Sequence, residues 1–281
     1  MQKINKPTLF SFVLFLLSFF LSTPFNTAHA QLLDVPYVAT PQAIVEAMLD
    51  VAKVGPGDYV IDLGSGDGRI VIEAARRGAF GHGMDLDPAR VKEAEENAAA
   101  AGVSDRVQFF EGNIFEADMS RATVVTMYLL QTVNLRLKPV LFEQLRPGTR
   151  IASHAFSMGR WEADEHIQLN SYRVFYWTIP ADLRGRWEWT AEGEEFVMEV
   201  QQEFQKISVD LSKGNRTLQV RNPAVDGERV SFVAVDPRDG KNYAFSARVD
   251  GDSITGTVQT RSGQTPRIQN WNAERSPSTR N

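Results

Sequence analysis

The run Val60-Ile61-Asp62-Leu63-Gly64-Ser65-Gly66-Asp67-Gly68-Arg69 constrains this chain more than any other segment. A short apolar stretch, long enough for one buried strand, runs into three alternating glycines. Arg69 to Arg77 beyond them reads as a helix closed by Gly78. Only glycine lets backbone approach a ligand closely at such a turn. The first amides of the helix lack partners and carry partial positive charge, which suits a carboxylate. A dinucleotide fingerprint, Gly-x-Gly-x-x-Gly, is not met, because Gly68 arrives one residue early and Arg69 stands in the expected place. No Gly-Lys-Ser/Thr follows, so a phosphate-binding P-loop is excluded. The bland alternative is a glycine turn that serves packing alone.

From Tyr37 to about Phe156 helical and strand patterns alternate, the grammar of a parallel sheet with crossover helices. Thr40-Pro41 gives an N-cap and a first-turn proline for a helix carrying Ile44, Val45, Met48, Leu49 and Ala52. Strands are predicted at Tyr59 to Leu63, His82 to Leu86, Arg106 to Glu111, Thr123 to Leu129 and Arg150 to Phe156, with helices after Asp87-Pro88 and near Pro139 to Leu145. Beyond about Ala181 the period becomes two: Phe196, Met198 and Val200 alternate, as do Val230, Phe232 and Ala234, then Tyr243, Phe245, Ala247 and Val249. Turn glycines at Gly214, Gly227, Gly240, Gly251 and Gly263 have meander spacing. The expected class is therefore α/β, a Rossmann-like doubly wound sheet over residues 31–183 with a C-terminal antiparallel β-domain over 184–275 and a frayed tail at 276–281. Trp187, Trp189, Tyr243, Phe245 and Trp271 are expected inside that second domain.

Two further strand ends carry chemistry. Asp85, followed by Leu86, sits where a carboxylate can accept both hydroxyls of a ribose. Asn113, followed by Ile114, places an amide beside an apolar side chain, able to meet the polar edge of an adenine and cover its face. A solvated turn aspartate and a turn-forming asparagine are the competing readings. The sequence Asp62-x-Gly64-x-Gly66-x-Gly68, then Asp85, then Asn113, on successive strands and in that order, resembles the Rossmann-like S-adenosylmethionine-dependent methyltransferases over residues 37–160. Val60 to Ile72, Pro36-Tyr37-Val38 and Thr40-Pro41 are similar to the lysine methyltransferases related to the mitochondrial ATP synthase c-subunit enzyme, and to exported bacterial methyltransferase-like proteins. The resemblance implies S-adenosylmethionine as cofactor, with Asp62, Gly64, Ser65, Gly66 and Gly68 facing its methionine portion, Asp85 its ribose, and Asn113 and Ile114 its adenine; Leu86 is a further cofactor-binding candidate.

Methyl transfer from a sulfonium is an in-line displacement that needs alignment and exclusion of water more than a catalytic triad. In an open α/β sheet the site lies beyond the carboxyl ends of the strands. Tyr128, after the fourth strand, and His154, at the fifth, are therefore the catalytic candidates. His154 competes with a reading as a satisfied core residue, and Trp161 is either a pocket wall or a packing residue. The family carries polar or aromatic residues after the fourth strand, which Tyr128 fits, whereas Leu129-Leu130-Gln131 departs from the lysine-enzyme pattern. His82 and His166 are isolated, so no metal site is expected.

Lys3 and Lys6 precede an apolar run from Leu9 to Leu21 and then Ala28-His29-Ala30, which reads as a secretory signal peptide over 1–30. The run falls short of the roughly 20 apolar residues a bilayer span requires. An exported protein, periplasmic or associated with the cell envelope, with no stable membrane span after cleavage, is the expectation. The chain has 281 residues, no cysteine and a net charge of -5. Disulfides, thiolate metal sites and a cysteine nucleophile are thereby excluded, and a nucleic-acid-coating surface is not expected. The expected partner is a protein, including its lysines, or a small-molecule methyl acceptor. The alternative is a methyltransferase-fold protein that binds an adenosyl or other ligand in the envelope without turnover, since the methyl donor is made in the cytoplasm and a chain secreted unfolded arrives empty.

Overall fold

The computed structural model describes residues 37–191, 193–261 and 266–277. The leader expected over 1–30 lies outside them, as do residues 278–281 of the expected tail. Ser276, at the start of that tail, is tied back by its amide to the Arg186 carbonyl at 2.7 Å.

Helix α1 (Gln42–Val51) is followed by β1 (Tyr59–Leu63), α2 (Arg69–Arg76), β2 (Phe80–Asp85), α3 (Pro88–Ala101), β3 (Val107–Glu111), β4 (Val124–Met127), α4 (Gln131–Gln144) and β5 (Arg150–His154). Strands β6 (Glu165–Leu169) and β7 (Tyr172–Thr178) form a hairpin, with β7 antiparallel to β5. The order across the sheet is β3-β2-β1-β4-β5-β7-β6, and β1 to β5 run parallel. Chain order reverses between β1 and β4, the crevice where open α/β sheets bind ligands. Central strands β1, β4 and β5 are almost wholly buried because α1, α2 and α4 cover both faces.

Three local readings change. Thr40 does not cap α1: Pro41 occupies that position, its carbonyl accepting from the Ile44 amide at 2.9 Å, and the Thr40 hydroxyl instead meets His154 Nδ1 at 3.3 Å. The helix expected to begin near Pro139 begins at Gln131, with Pro139 inside it. Burial of Val133, Leu137 and Leu141, four residues apart, outweighs the hydrogen bond a mid-helix proline forfeits. The β6–β7 hairpin has no counterpart among the expected strands. Its edge strand β6 is largely exposed and carries no two-residue alternation strong enough to announce it.

The second half is a closed antiparallel barrel of eight strands: β8 (Gly185–Ala191), β9 (Glu194–Glu203), β10 (Lys206–Lys213), β11 (Arg216–Asp226), β12 (Arg229–Val235), β13 (Asn242–Asp250), β14 (Ser253–Arg261) and β15 (Pro266–Arg275). A meander closes when β15 returns to β8 through Arg275 opposite Trp187. Alternation sends Trp187, Trp189, Phe196, Phe232, Tyr243, Phe245 and Trp271 inward, where their rings pack edge to face and stacked. Along β13 the outward set is Asn242, Ala244, Ser246, Arg248 and Asp250, a polar exterior around an apolar filling. Among the described residues no helix is long and apolar enough to cross a membrane.

Gly68 shows what the close strand–helix packing demands. Its φ is +79°, and an added Cβ would lie 2.7 Å from the Phe109 ring and 2.8 Å from the Ala94 methyl. Left-handed backbone and overpacking together are worth about 3 kcal/mol. Gly68→Ala is therefore expected to lower unfolding free energy by about that amount in urea titrations, whether or not a ligand is present.

Candidate functional site

The carboxyl ends of β1 to β4, the segment Tyr37–Thr40 and the start of α4 surround a cleft enclosing about 980 Å³, part of it open to solvent. Asp62, Gly64, Ser65, Asp85, Leu86, Asn113, Ile114 and Tyr128 all line it. The glycine turn is stitched to the end of β2: the amides of Gly64 and Ser65 donate to the Met84 carbonyl at 2.8 and 3.0 Å, and the Gly66 amide donates to Asp85 Oδ2 at 2.8 Å. Asp85 Oδ1 accepts from the Asp87 amide at 3.0 Å. Each carboxylate oxygen has a second lone pair, so Asp85 keeps acceptor capacity toward a ligand's hydroxyls.

Gly66 and Gly68 do not line the cleft. A Cβ on Gly66 would fall 2.3 Å from the Tyr37 ring, so the missing side chain admits Tyr37 rather than a ligand. Gly64 does face the cleft, at a φ of +77° and against Leu129. The start of α2 differs from expectation too. Asp67 takes the place foreseen for a ligand's carboxylate, accepting from the Arg69 amide at 3.3 Å and from Arg69 Nε at 2.9 Å, and this pairing holds its pKa down against the opposing effect of burial. Arg69 Nη1 in turn donates to the Thr40 carbonyl at 2.8 Å, which fixes the Tyr37–Thr40 wall. No sequence period announces that latch, because it joins residues 29 positions apart. Asn113 is half committed: its Nδ2 donates to Glu116 at 2.9 Å and its Oδ1 accepts from the Phe115 amide at 3.1 Å, leaving one N–H and one lone pair for a ligand.

Asp62 is the charged group the fold tolerates least. It is 2% exposed, and burial pushes its pKa from the usual carboxylate range up to about 7. The Thr126 hydroxyl, donating at 2.7 Å, opposes that rise, while Asp85 and Asp67 add to it. Among the described residues no cation offsets Asp62. Beside it Ser65 Oγ is buried without a hydrogen-bond partner. A cleft with a buried acid lacking a counter-ion and an unpaired hydroxyl fits a ligand that brings both an ammonium group and polar atoms, as the methionine portion of S-adenosylmethionine does.

On its β4 side the cleft is aromatic. Tyr128 reaches the cleft and stacks on His154, centroids 3.9 Å apart, and more loosely on Phe156 at 6.4 Å. His154 itself does not reach the cleft. It is 0% exposed behind Tyr128, bonded at Nδ1 to Thr40, with Nε2 unpaired, and burial lowers its pKa to about 4. A buried neutral imidazole one ring away from the cleft holds Tyr128 and cannot take a proton from a substrate there. Trp161 is also 0% exposed and packs against Phe142 and Trp177, so it walls no pocket. Among the described residues no cluster of His, Cys, Asp and Glu could hold a metal ion.

Comparison with known proteins agrees with this geometry. The family model of the ANTKMT methyltransferase domain matches residues 62–165. The chain is 47% identical to a protein-lysine N-methyltransferase of Saccharolobus islandicus, across 48% of this chain and 85% of that one. It is 27% identical to the human enzyme that methylates lysine in the ATP synthase c-subunit, across 59% of this chain and 70% of that one. A crystal structure described as an RNA methyltransferase from Salinibacter ruber, in complex with S-adenosyl-L-homocysteine, is 54% identical, with TM-score 0.51 over 52% of this chain and 96% of that one. The chain belongs to the class I S-adenosylmethionine-dependent methyltransferases, and it is an enzyme of that class. Within the class it is similar to the protein-lysine methyltransferases around the ATP synthase c-subunit enzyme.

Two outcomes follow from the buried groups. Between about pH 4 and 7 native Asp62 keeps a proton that the unfolded chain has lost, so ligand-free stability should fall as pH rises across that window, by up to about 1.4 kcal/mol per pH unit. Asp62→Asn should flatten that part of the profile in denaturant titrations at fixed salt. His154→Phe, which keeps a ring beneath Tyr128, should leave the pH dependence of methyl transfer between about pH 6 and 8 unchanged, whereas His154→Ala should slow transfer at every pH.

Proposed function

We propose that this enzyme methylates lysine side chains of a protein, and that it does so after export, in the periplasm or at the cell envelope. The observation that carries the lysine reading is the 47% identity to a protein-lysine N-methyltransferase along most of that protein's length. The RNA methyltransferase of Salinibacter ruber raises a second reading, and electrostatics argues against it here. The cleft is lined by Asp62, Asp67, Asp85 and Asp87. Its two arginines are engaged, Arg69 with Asp67 and Arg90 over the Tyr37 ring at 4.7 Å. A polyanion gains nothing from that surface. Export rests on Lys3, Lys6, the apolar run from Leu9 to Leu21 and Ala28-His29-Ala30.

When bound, S-adenosylmethionine supplies a methyl carbon activated by its sulfonium. Ionised Asp62 offers a counter-charge to the ammonium of its methionine portion, Ser65 Oγ gains a partner, and Asp85 accepts from ribose hydroxyls. Asn113 and Ile114 would hold the adenine. On the acceptor side Tyr128, Leu129 and Val133 form a wall with little polarity. An amine with a reference pKa near 10.4 enters that wall more readily once it has lost its proton to water, because desolvation disfavours the ammonium form. Against that wall its lone pair would form the new N–C bond while the donor's S–C bond broke and sulfur kept the electron pair. The Tyr128 face attracts what positive charge builds on nitrogen.

Labelled methyl donor and a protein extract of the source cells test this. Radioactivity should enter protein and be recovered as methyl-lysine after acid hydrolysis, while label in RNA and none in protein would overturn the lysine reading. Asp85→Ala should weaken S-adenosylhomocysteine binding by at least about tenfold in calorimetry, a loss of about 1.4 kcal/mol or more. Unchanged affinity would remove Asp85 from the ribose. Fractionation of cells carrying the full chain decides export, since a chain that keeps residues 1–30 and stays in the cytoplasm contradicts it.

A further inference from the structure

Among the described residues the barrel supplies no side chain to the cleft, yet it grips the segment that backs the acceptor wall. Phe204, in the turn between β9 and β10, sits in left-handed backbone at a φ of +57°, which a bulky residue rarely adopts. That conformation turns its ring away from the barrel filling and into the apolar core of the other domain. There it lies 6.0 Å from Trp161 and 5.8 Å from Phe142, with Lys138 Nζ 5.1 Å from its centroid. The turn is held from its own side by Gln202, whose Nε2 donates to the Phe204 carbonyl at 2.7 Å and to the Ala181 carbonyl at 2.9 Å. Next to it Gln205 Nε2 donates to the Glu162 carbonyl at 2.7 Å and to Asp164 Oδ1 at 2.9 Å, and Lys206 pairs with Glu162 at 2.7 Å.

Apart from Phe142 and Lys138 on α4, the residues this turn grips in the methyltransferase domain fall within 155–164, the linker that leaves the carboxyl end of β5 and crosses α4 before β6. The same linker is what lies behind Tyr128. Lys138, touching Phe204, donates to the Met158 carbonyl at 3.2 Å, and Gln131 Nε2 donates to the Ser157 carbonyl at 2.9 Å. The Phe156 carbonyl accepts from Ser153 Oγ at 2.8 Å and Asn134 Nδ2 at 3.2 Å, and the Phe156 ring stacks on Tyr128. A continuous packed path therefore runs from the barrel turn to the acceptor wall. It bypasses the glycine loop, Asp62 and Asp85.

We propose that Phe204 is a positioning residue for methyl transfer: the barrel turn clamps linker 155–164 through it and so sets Tyr128 on the acceptor side, without touching the cofactor side. The inference rests on the transferase assignment and on no particular acceptor.

Phe204→Ala, Phe204→Trp and Gly227→Ala test it in the full chain. Gly227→Ala loosens a second contact of the barrel with the first domain, where an added Cβ would meet the Gly148 backbone at 2.9 Å, away from the linker. Hydrogen exchange in Phe204→Ala should rise about tenfold across 155–164 and at 128–131 while the glycine loop stays unchanged, as expected for a local opening. Affinity for S-adenosylhomocysteine should stay at the wild-type value, and Phe204→Trp should restore exchange. With poly-L-lysine as the acceptor probe, KM for the probe should rise severalfold at constant KM for the methyl donor. Unchanged exchange at 128–131, a parallel loss of cofactor affinity, or the same effect from Gly227→Ala would overturn the proposal. Failure of the wild-type protein to methylate poly-L-lysine counts against the lysine reading alone, because the exchange comparison needs no acceptor.

Discussion

The hydrogen bond from the Gly66 amide to Asp85 holds the cofactor cleft in its shape. It ties the turn after β1 to the acid at the tip of β2, next to the two amides that already join that turn to the Met84 carbonyl. The bond requires backbone that bends tightly enough to present an amide sideways, and Gly66 provides this at a φ of +52°. Tyr37 then closes over the bare glycine, and Arg90 closes over Tyr37. With the Gly64 and Ser65 amides on the Met84 carbonyl, this bond fixes the mutual distance of two cleft-lining elements, while the aromatic cover keeps the bend from relaxing into solvent.

The same constriction concentrates negative charge. Asp85 and Asp67 raise the cost of ionising Asp62, and of the three it is Asp67 that has a paired cation, in Arg69. Burying a carboxyl without a counter-ion destabilises the folded chain, and the fold accepts that by leaving Asp62 close to its protonation midpoint at neutral pH. A cationic ligand reverses the balance, since it restores the charged form and supplies its missing partner. The cost of burying that carboxyl without a counter-ion thereby favours a cationic ligand over a neutral nucleoside, which could not offset it.

What the sequence made legible followed from strong local rules. The glycine turn, the parallel strands and the barrel meander each rest on a short period or on a residue with restricted backbone, and those signals survive without tertiary context. What escaped it depends on contacts between distant residues. Arg69 reaching the Thr40 carbonyl and His154 retreating behind Tyr128 onto Thr40 join residues 29 and 114 positions apart by hydrogen bonds with no pattern in the chain. The β6–β7 hairpin was hidden for a different reason. An exposed edge strand need not alternate, because neither of its faces is buried. Pro139 misled in the opposite direction, since a residue that usually starts helices was overruled by three buried side chains on one helical face.

The two halves of the molecule divide the labour along a line the chain order does not reveal. Every described residue lining the cleft falls between Tyr37 and Val133, outside the barrel. The acceptor side is not self-contained. Its aromatic wall leans on a linker that is anchored at one end by α4 and at the other by a barrel turn, and a loop anchored twice loses far less entropy when a substrate arrives than one anchored once. A second domain built as a rigid filled barrel, with its polar face outward and one aromatic side chain driven into its neighbour, is well suited to that task. It adds stiffness at a distance while leaving the methyl donor's pocket unaltered.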